Sequence, residues 1–355
     1  MPRFAGPIVS LGLVLALLVP AAADAAPASR WGWVVVRDAA ALTPGVPWVA
    51  GPRDQGNSTG ATNTVTRATT VVGRYLVTFP DLADGPVGTV NVAMVGTRTE
   101  TCSVEQPFPN GNDIRVSVNC FGLTPAAPGA DSTFLVTYAS VLDTGGGRSA
   151  IAYIFGDPNG PPLTSYNSKG KGNSVTRLDF GLFRVRLGGM AGLKGHLQAS
   201  PWSKGVVCSV VDASDGRTAK LVRVQCLSIA GVGQDVRFHL TFLHRAGLKG
   251  FGGAPVAYLL ANRPTASAYT PAVWFSSAGG DATPRVTRTG RGEYRVRLPG
   301  MERGGAANIT TLGAPRKRCI IRDVRRDALP QYVNVQCLKL DGTRADAPFY
   351  LTYVR

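Results

Sequence analysis

The chain has 355 residues, of which 44% are hydrophobic and 17% charged, and its formal net charge at pH 7 is +16. This balance excludes an intrinsically disordered chain, because disorder requires low hydrophobicity and a high density of charge. The 43 glycines and 25 prolines interrupt long helices and favour short strands joined by turns, so an all-α fold is excluded as well.

The first 25 residues are typical of a secretory signal peptide. Arg3 provides the positive start, residues 8–19 form the apolar stretch, and Ala-Asp-Ala at 23–25 is a small-x-small cleavage pattern. As a helix the apolar stretch would rise only about 18 Å, against roughly 30 Å of hydrocarbon in a bilayer. No lipid-accepting cysteine follows it, because the first cysteine is Cys102. We therefore expect a secreted, extracellular protein without a lipid, wall or membrane anchor.

Three pairs of cysteines mark an internal repeat with a period of 106 and then 111 residues. The members of each pair are separated by the same 18 positions: Cys102 and Cys120, Cys208 and Cys226, Cys319 and Cys337. Other segments then fall into register, namely Val-Thr-Arg at 65–67, 175–177 and 286–288, Gly-x-Tyr/Phe at 73–75, 181–183 and 292–294, and a closing Phe-x-Val/Leu-Thr-Tyr/Phe at 134–138, 238–242 and 349–353. The period is too long for a solenoid turn and suits a domain.

Each repeat is predicted to be a β-sandwich. In the Gly-x-Tyr segments, large apolar residues alternate with Thr, Leu or Arg, the period of two expected when one sheet face is buried and the other is wet. About seven strands are expected in each repeat, counting an opening aromatic run at 33–37, 153–155 and 258–260. The predicted fold is all-β, with three tandem β-sandwich or jelly-roll-like modules at 31–142, 149–246 and 255–355. Glycine-rich linkers at 143–148 and 247–255 separate them. We expect a string of modules, each closing on itself.

The cysteines are expected to form one disulfide within each module. Six cysteines allow fifteen pairings, but a repeated fold with one pair per repeat favours the local pairing, and an exported chain meets oxidising conditions. A closed loop of about nineteen residues contributes on the order of 3 kcal/mol in the chain-entropy model. Buried free thiols are the alternative. No Cys-x-x-Cys or clustered His accompanies the cysteines, so neither a metal nor another cofactor is expected.

A resemblance follows from the order of these motifs. Asn-Ser-x-Gly at 57–60 and 167–170, then Val-Thr-Arg, Gly-x-Tyr-x-Val, the cysteine pair and the closing Phe-x-Val-Thr-Tyr resemble repeats in uncharacterised secreted bacterial proteins, notably those of high-GC bacteria. The third repeat departs from the opening motif, with Ser276 and Ser277 where Asn-Ser would stand. The resemblance implies export and modular β-structure but no reaction.

Motifs for catalysis are scarce. The sequence has no His-Glu-x-x-His, Gly-x-Ser-x-Gly or P-loop pattern, and its three histidines all fall in the middle repeat: His196, His239 and His244. His239 is expected on a sheet surface rather than as a base. Scattered acids leave open a glycosidase with two facing carboxylates: Asp81, Asp84, Glu100 and Glu105. None of them recurs in the other repeats, so we expect a protein that is not an enzyme.

Recurring polar residues have two interpretations. An arginine and an aspartate occupy matching places in all three repeats. The arginines are Arg67, Arg177 and Arg288, and the aspartates are Asp131, Asp235 and Asp346. Each arginine is expected to pair with a carboxylate or carbonyl at a strand end as a structural clamp, and the alternative is an anion-binding group in every module.

Positive charge is concentrated in the second and third repeats. Basic against acidic residues number 7 to 9 in 31–150, 13 to 5 in 151–250, and 16 to 7 in 251–355. By alternation, one solvent-facing stripe is expected to hold Arg184, Arg186, Arg295 and Arg297. A second basic cluster surrounds Cys319: Arg316, Lys317, Arg318, Arg322, Arg325 and Arg326. Guanidinium groups suit phosphate and carboxylate, so the hypothesis is an extracellular polyanion ligand. Protection of strand edges from aggregation is the alternative.

Three tryptophans lie in segments rich in Pro, Ser or Gly, where an indole ring could stack on a sugar: Trp48, Trp202 and Trp274. Half-buried packing is the more common role of tryptophan. The sequence therefore predicts a secreted, non-catalytic binding or surface-associated protein, with a polyanion or cell-wall glycan as its ligand. A secreted polysaccharide hydrolase and a purely structural spacer or inhibitor are the alternatives.

Overall fold

The computed structural model describes residues 29–96, 100–122, 129–140, 144–251, 255–277, 283–313, 316–325 and 329–355. Within these ranges the chain forms 27 strands and no helix, which confirms the all-β prediction. Three of the features predicted from the sequence lie wholly or partly outside the described residues: the signal peptide, the two linkers at residue 143 and residues 252–254, and the basic cluster at Arg326. The described residues include no helix long and apolar enough to cross a membrane.

Module 1 contains the first ten strands. They are β1 (Arg30–Val36), β2 (Pro47–Val49), β3 (Gln55–Asn57), β4 (Thr64–Arg67), β5 (Arg74–Phe79), β6 (Thr89–Met94), β7 (Glu100–Val104), β8 (Phe108–Asn110), β9 (Asp113–Gly122) and β10 (Phe134–Ser140). One sheet has the order β3-β1-β10-β6, and the other has the order β2-β4-β5-β9-β7 with β8 paired to β9. We call the sheet with the first and last strands of a module its inner sheet, and the sheet with the cysteines its outer sheet.

Module 2 repeats this plan with eight strands. They are β11 (Ala150–Gly156), β12 (Thr164–Asn167), β13 (Asn173–Asp179), β14 (Leu182–Gly188), β15 (His196–Pro201), β16 (Val206–Asp215), β17 (Ala219–Ser228) and β18 (Phe238–His244). Its inner sheet has the order β12-β11-β18-β15 and its outer sheet the order β13-β14-β17-β16.

Module 3 has nine strands. They are β19 (Val256–Ala261), β20 (Ala268–Tyr269), β21 (Trp274–Ser276), β22 (Arg285–Gly290), β23 (Glu293–Leu298), β24 (Ala306–Thr311), β25 (Lys317–Val324), β26 (Gln331–Lys339) and β27 (Phe349–Val354). The inner sheet has the order β21-β19-β27-β24 and the outer sheet the order β20-β22-β23-β26-β25. All three modules contain the seven predicted strands, and the remaining short strands mostly extend sheet edges.

The outer sheets follow the alternation that the sequence predicts. In β14 and β23, buried apolar residues alternate with exposed arginines, as in Phe183, Arg184 and Val185. Because successive side chains point to opposite faces, one face of each outer sheet packs on the sandwich core and the other meets solvent. The predicted β-sandwich modules are confirmed.

Each module has one internal disulfide, as predicted. Cys102–Cys120, Cys208–Cys226 and Cys319–Cys337 join neighbouring strands of the outer sheet. In each case the two cysteines are direct cross-strand partners, with Cα atoms about 4 Å apart. All six are buried. Three disulfides in one chain indicate that the protein matures in an oxidising compartment.

The Asn-Ser-x-Gly motif forms a structural corner. The Asn57 side chain donates to Asn63 and to the carbonyl of Pro80, while its Oδ1 accepts from the backbone of Thr59. Asn167 makes the same set of bonds in module 2. In module 3, Ser277 keeps only the serine part of the motif, its hydroxyl accepting from the backbone of Val256. The motif therefore secures the turn between the two sheets.

The modules form a closed ring rather than a string. Edge strands β6, β15 and β24 of the three inner sheets contact one another, and each module touches both others. Buried clusters cross the boundaries, since Trp33, Val35 and Leu135 of module 1 belong to the core cluster of module 3. Tyr350 of module 3 belongs to that of module 2. The expectation that each copy closes on itself is corrected, because each core is completed by its neighbour.

The ring explains why the inner sheets lack an alternating burial pattern. β10, β11, β15 and β24 are buried on both faces, one against the outer sheet of the module and the other against the neighbouring modules. His239, expected on a sheet surface, is fully buried. Its imidazole stacks on Phe155 with ring centroids 4.5 Å apart. The polar face of β18, which carries His239, therefore forms part of an interface between modules.

Candidate functional site

The outer sheet of module 2 presents two arginines to solvent. Arg184 and Arg186 are exposed on β14. Arg184 lies directly opposite Arg223 of β17, and Arg186 opposite Leu221. Like charges that face each other across a strand pair destabilise a sheet. Arg223 is neutralised by an ion pair with Asp212, which leaves Arg184 and Arg186 as the positive groups of this face.

Strands β22 and β23 in the outer sheet of module 3 present three exposed arginines. Arg285 of β22 and Arg297 of β23 are exposed cross-strand partners, so two arginines occupy neighbouring positions on this face. Arg295 lies two residues from Arg297 on the same face, 5.9 Å from the ring centroid of Tyr332. Asn334 lies opposite Arg295 on β26. We call Arg184 with Arg186, and Arg285 with Arg295 and Arg297, the two basic faces.

The guanidinium groups of the basic faces have no carboxylate partner among the residues that the structure describes. Ion pairs among the described residues neutralise other arginines, such as Arg223 and Arg322, but none involves the five arginines of the basic faces. Arg186 makes only a long bond of 3.4 Å to the Thr218 hydroxyl. Five exposed positive groups are therefore available to an external anion.

The four predicted arginines form two pairs rather than one stripe. Arg184 and Arg186 belong to the outer sheet of module 2, whereas Arg295 and Arg297 belong to that of module 3, and these sheets are not hydrogen-bonded to each other. The arginine pair has no counterpart on β5 of module 1, because partly buried Leu76 and Thr78 stand at the corresponding places. Arg285 was missed by sequence reasoning, although its place opposite Arg297 follows from the short hairpin between β22 and β23.

The predicted basic cluster around Cys319 is divided by the structure. Lys317 donates to the carbonyl of Asp346, and Arg322 pairs with Glu293. Arg318 points into the molecule and is only 3% exposed. The alternation of β25 sends neighbouring basic residues to opposite faces, so these residues do not form one surface.

The tryptophans have different environments. Trp274 on the edge strand β21 is 37% exposed, so part of its ring meets solvent. Trp48 on β2 is half-buried and packs against the module 1 core. Trp202 lies beneath Arg237, whose guanidinium is 5.6 Å from the ring centroid. These rings belong to three modules and do not form a shared platform.

The recurring Arg–Asp pairs are structural clamps. Arg67, Arg177 and Arg288 form ion pairs with Asp131, Asp235 and Asp346 at N–O distances of 2.5, 2.7 and 2.8 Å. Each clamp ties the Val-Thr-Arg strand to the segment before the last strand. In modules 2 and 3 the aspartate also accepts from the backbone N–H of Gly181 or Gly292. All three carboxylates are already satisfied, which favours the structural interpretation over anion binding.

Polar side chains meet at the centre of the ring. The Asn91 amide donates to the Thr241 hydroxyl (3.1 Å), and the Asn308 amide donates to the Thr137 hydroxyl (2.8 Å). These two hydrogen bonds are the same contact, each between a different pair of modules, because Asn91 and Asn308 are both the third residue of their strands. Gln198 is the third residue of β15 in module 2, but its Nε2 has no acceptor in the described structure, so the third hydrogen bond of this kind is missing. A cavity of about 30 Å³ lies among these side chains, and they hold the modules together at the axis.

The candidate acids of module 1 are separated. Asp81 and Asp84 line an open groove of about 460 Å³ with Arg30, which pairs with Asp84 at 2.8 Å. Glu100 accepts from Ser132, and Glu105 accepts from Asn119. Of the four acids, Asp81 and Asp84 therefore share one groove, whereas Glu100 and Glu105 are not among its lining residues.

The buried histidines are poor bases. Burial lowers the pKa of both His196 and His239 to about 3, because the charged imidazolium would lose its hydration. Neither ring is accessible to a substrate. No group of three or more His, Cys, Asp or Glu suited to a metal ion occurs in the described part of the chain.

Comparison of the chain with protein-family models, with curated proteins and with solved structures finds no match. The basis for a function is therefore the geometry of this chain.

Proposed function

We propose that this is a secreted, non-catalytic protein that binds an extracellular polyanion through the basic faces of modules 2 and 3. The observation that carries the proposal is the set of exposed arginines that have no carboxylate partner in the described ranges, in which Arg285 is the cross-strand partner of Arg297. Such an arrangement costs stability in the isolated protein. An anion bound between the guanidinium groups would remove that repulsion.

The spacing of the arginines favours a polymer over a small anion. Residues two apart on a strand are separated by about 7 Å, and neighbouring strands by about 5 Å. Arg295 and Arg297 thus offer two forks along β23, with Arg285 beside them. A polymer with a charge on each repeat unit would meet several forks at once, and arginine suits phosphate, sulfate and carboxylate alike.

The export signal and the disulfides support an extracellular site of action. The amino-terminal segment has the pattern of a signal peptide, and the three disulfides require an oxidising compartment. Wall polymers, acidic polysaccharides and released DNA are the polyanions available there. Partly exposed Trp274 would add a sugar-stacking contact if the polymer is a glycan.

Replacing the four arginines Arg184, Arg186, Arg295 and Arg297 with Ser should abolish most retention on heparin. On duplex DNA, the slope of log K against log salt should fall in magnitude by about 3.6, because each of the four lost contacts with a DNA charge contributes about 0.9. Retention volume and fluorescence titration at several salt concentrations measure the two effects.

The matched control removes the same charge elsewhere. It replaces four exposed basic residues outside the basic faces with Ser: Arg53, Arg148, Arg217 and Arg303. Its retention should stay close to that of the wild type. Equal losses in both variants would mean that net charge, rather than the basic faces, binds the polymer, and the proposal would fail.

The open groove of module 1 supports a second candidate, a hydrolase of polysaccharide. Two carboxylates line it, as glycoside hydrolysis requires. Asp84 is 84% exposed at its side chain and tied to Arg30, whereas a general acid needs a carboxyl whose pKa is raised. We expect no release of reducing ends from acidic polysaccharides or peptidoglycan. Release that is lost on Asp81→Asn would favour the hydrolase instead.

A further inference from the structure

A buried arginine lies at one end of the ring axis, where the three modules meet. Arg318 of β25 is only 3% exposed. Its Nη1 donates to the backbone carbonyl of Glu100 in module 1 at 2.6 Å. Nε and Nη2 are buried and find no acceptor in the described structure. A buried cation with two unsatisfied N–H groups is costly unless a counter-charge is present.

The part of the chain that the structure describes does not supply that counter-charge directly. Arg318 forms no ion pair among the described residues, and the acid that influences it most, Glu100, accepts a hydrogen bond of 2.6 Å from Ser132. Burial consequently lowers the pKa of Arg318 to about 10. The guanidinium remains charged at neutral pH, so its compensation must come from elsewhere.

Arg318 lines a cavity of about 50 Å³ whose wall is formed by residues of all three modules. The first cysteine of each disulfide lies in its wall, and so do the residues that precede those cysteines: Thr101, Val207 and Arg318. No carboxylate is among the lining residues. The Thr311 hydroxyl accepts from the backbone of Cys319 at 2.7 Å, so its own proton is available to a further acceptor. The wall therefore offers donors and a positive charge.

We propose that this axial cavity binds a small inorganic anion of the chloride class beside the guanidinium of Arg318. A cavity needs about 10–15 Å³ of space to hold one water, so a space of about 50 Å³ admits a halide. The anion balances the positive charge of Arg318. It also links module 3 to module 1 near the first residues of β25 and β7, the strands that carry the first cysteine of each module.

The first test locates the anion. Crystals of the wild-type protein grown or soaked in sodium bromide should show an anomalous peak in the axial cavity, beside the guanidinium of Arg318. Bromide peaks confined to the protein surface would overturn the proposal. This measurement uses the unmodified chain, so it does not depend on the folding of any variant.

The second test measures stability against chloride. Tm should rise by about 2–4 °C for each tenfold increase in chloride above its dissociation constant. Sodium gluconate keeps the ionic strength constant, and its anion is too large for the cavity. In Arg318→Met the chloride response should disappear. Uncharged Thr101 and Val207 at the equivalent positions indicate that this strand tolerates the change.

The control variant is Arg322→Met, on the same strand but exposed and paired with Glu293. It should keep the chloride response of the wild type. An equal response in Arg318→Met would overturn the proposal. Because Arg318 is buried, Arg318→Met should retain heparin binding, so the axial anion and the polyanion function can fail independently.

Discussion

Module 2 expressed alone should not fold, whereas the full chain cut between modules 1 and 2 should remain one particle. The core of module 2 packs against Tyr350, Leu260 and Leu312 of module 3. Excision removes these residues and exposes the side chains of module 2 that they cover. Each large apolar side chain exposed in this way costs about 1.5–3 kcal/mol of folding free energy. The exposure of three of them would cancel much of the roughly 5–15 kcal/mol that stabilises a domain.

The cut is best introduced at Gly146 and Gly147, where a Cβ atom would meet nothing within 4 Å. A protease site there should yield two fragments that co-elute as one species in size-exclusion chromatography. Residues 149–246 alone should lack near-ultraviolet circular dichroism and bind a hydrophobic dye. A well-dispersed NMR spectrum from that fragment would show that the module is autonomous and that the shared cores contribute little.

Replacing Asp346 with Asn should lower the free energy of unfolding at pH 7 by about 2–3 kcal/mol. The carboxylate accepts from both Nε and Nη2 of Arg288, from the backbone of Gly292 and from the Tyr294 hydroxyl. Hydrogen bonds to charged groups contribute more than neutral ones. The substitution weakens the clamp that ties β22 to the segment before β27. Urea unfolding at constant temperature measures the loss in the free energy of unfolding.

The effect of Asp346→Asn should depend on pH. The hydrogen bond from Arg288 is the main reason why the pKa of Asp346 is about 2 in the folded protein. Because this pKa lies below that of an unfolded aspartate, about 3.9, the stabilisation is complete above about pH 4 and is lost as the pH falls towards 2. The difference between wild type and Asp346→Asn should narrow over this interval. A difference that stays constant down to pH 2 would contradict the assignment.

Asp235→Asn is the matched control for the clamp. Asp235 makes the same backbone contact in module 2, but Phe183 stands where Tyr294 supplies its hydroxyl, and Arg177 is more exposed than Arg288. We therefore expect a smaller loss of stability. A larger loss in module 2 would show that the phenol and the burial of the arginine are unimportant.

The outer sheets were predictable because a single burial pattern governs them. Phe183 and Val185 face the module core while Arg184 and Arg186 face solvent, and this alternation is visible in the sequence. The inner sheets were not, because Asn91, Thr137 and His239 have the composition of a wet face yet are buried by neighbouring modules. A repeat period shows that copies exist but carries no information about which faces they share.

The candidate site was predictable to the same extent. Alternation placed Arg295 and Arg297 in solvent, but the pairing of Arg285 with Arg297 required the register of two strands. Arg318 was grouped with its basic neighbours in the sequence, whereas its burial results from the approach of module 1. Long-range packing of this kind leaves no local pattern.

Joining three ring positions in one polypeptide has a further consequence. An assembly of three separate chains dissociates on dilution and must repeat every substitution three times, whereas here the stoichiometry is fixed by the peptide bond. Each position is free to specialise: exposed arginines occupy β14 and β23, partly buried Leu76 occupies the matching place on β5, and among the described residues module 3 alone supplies a buried arginine. The ring therefore allows its three modules to take different roles, and separate subunits cannot assemble in the wrong combination.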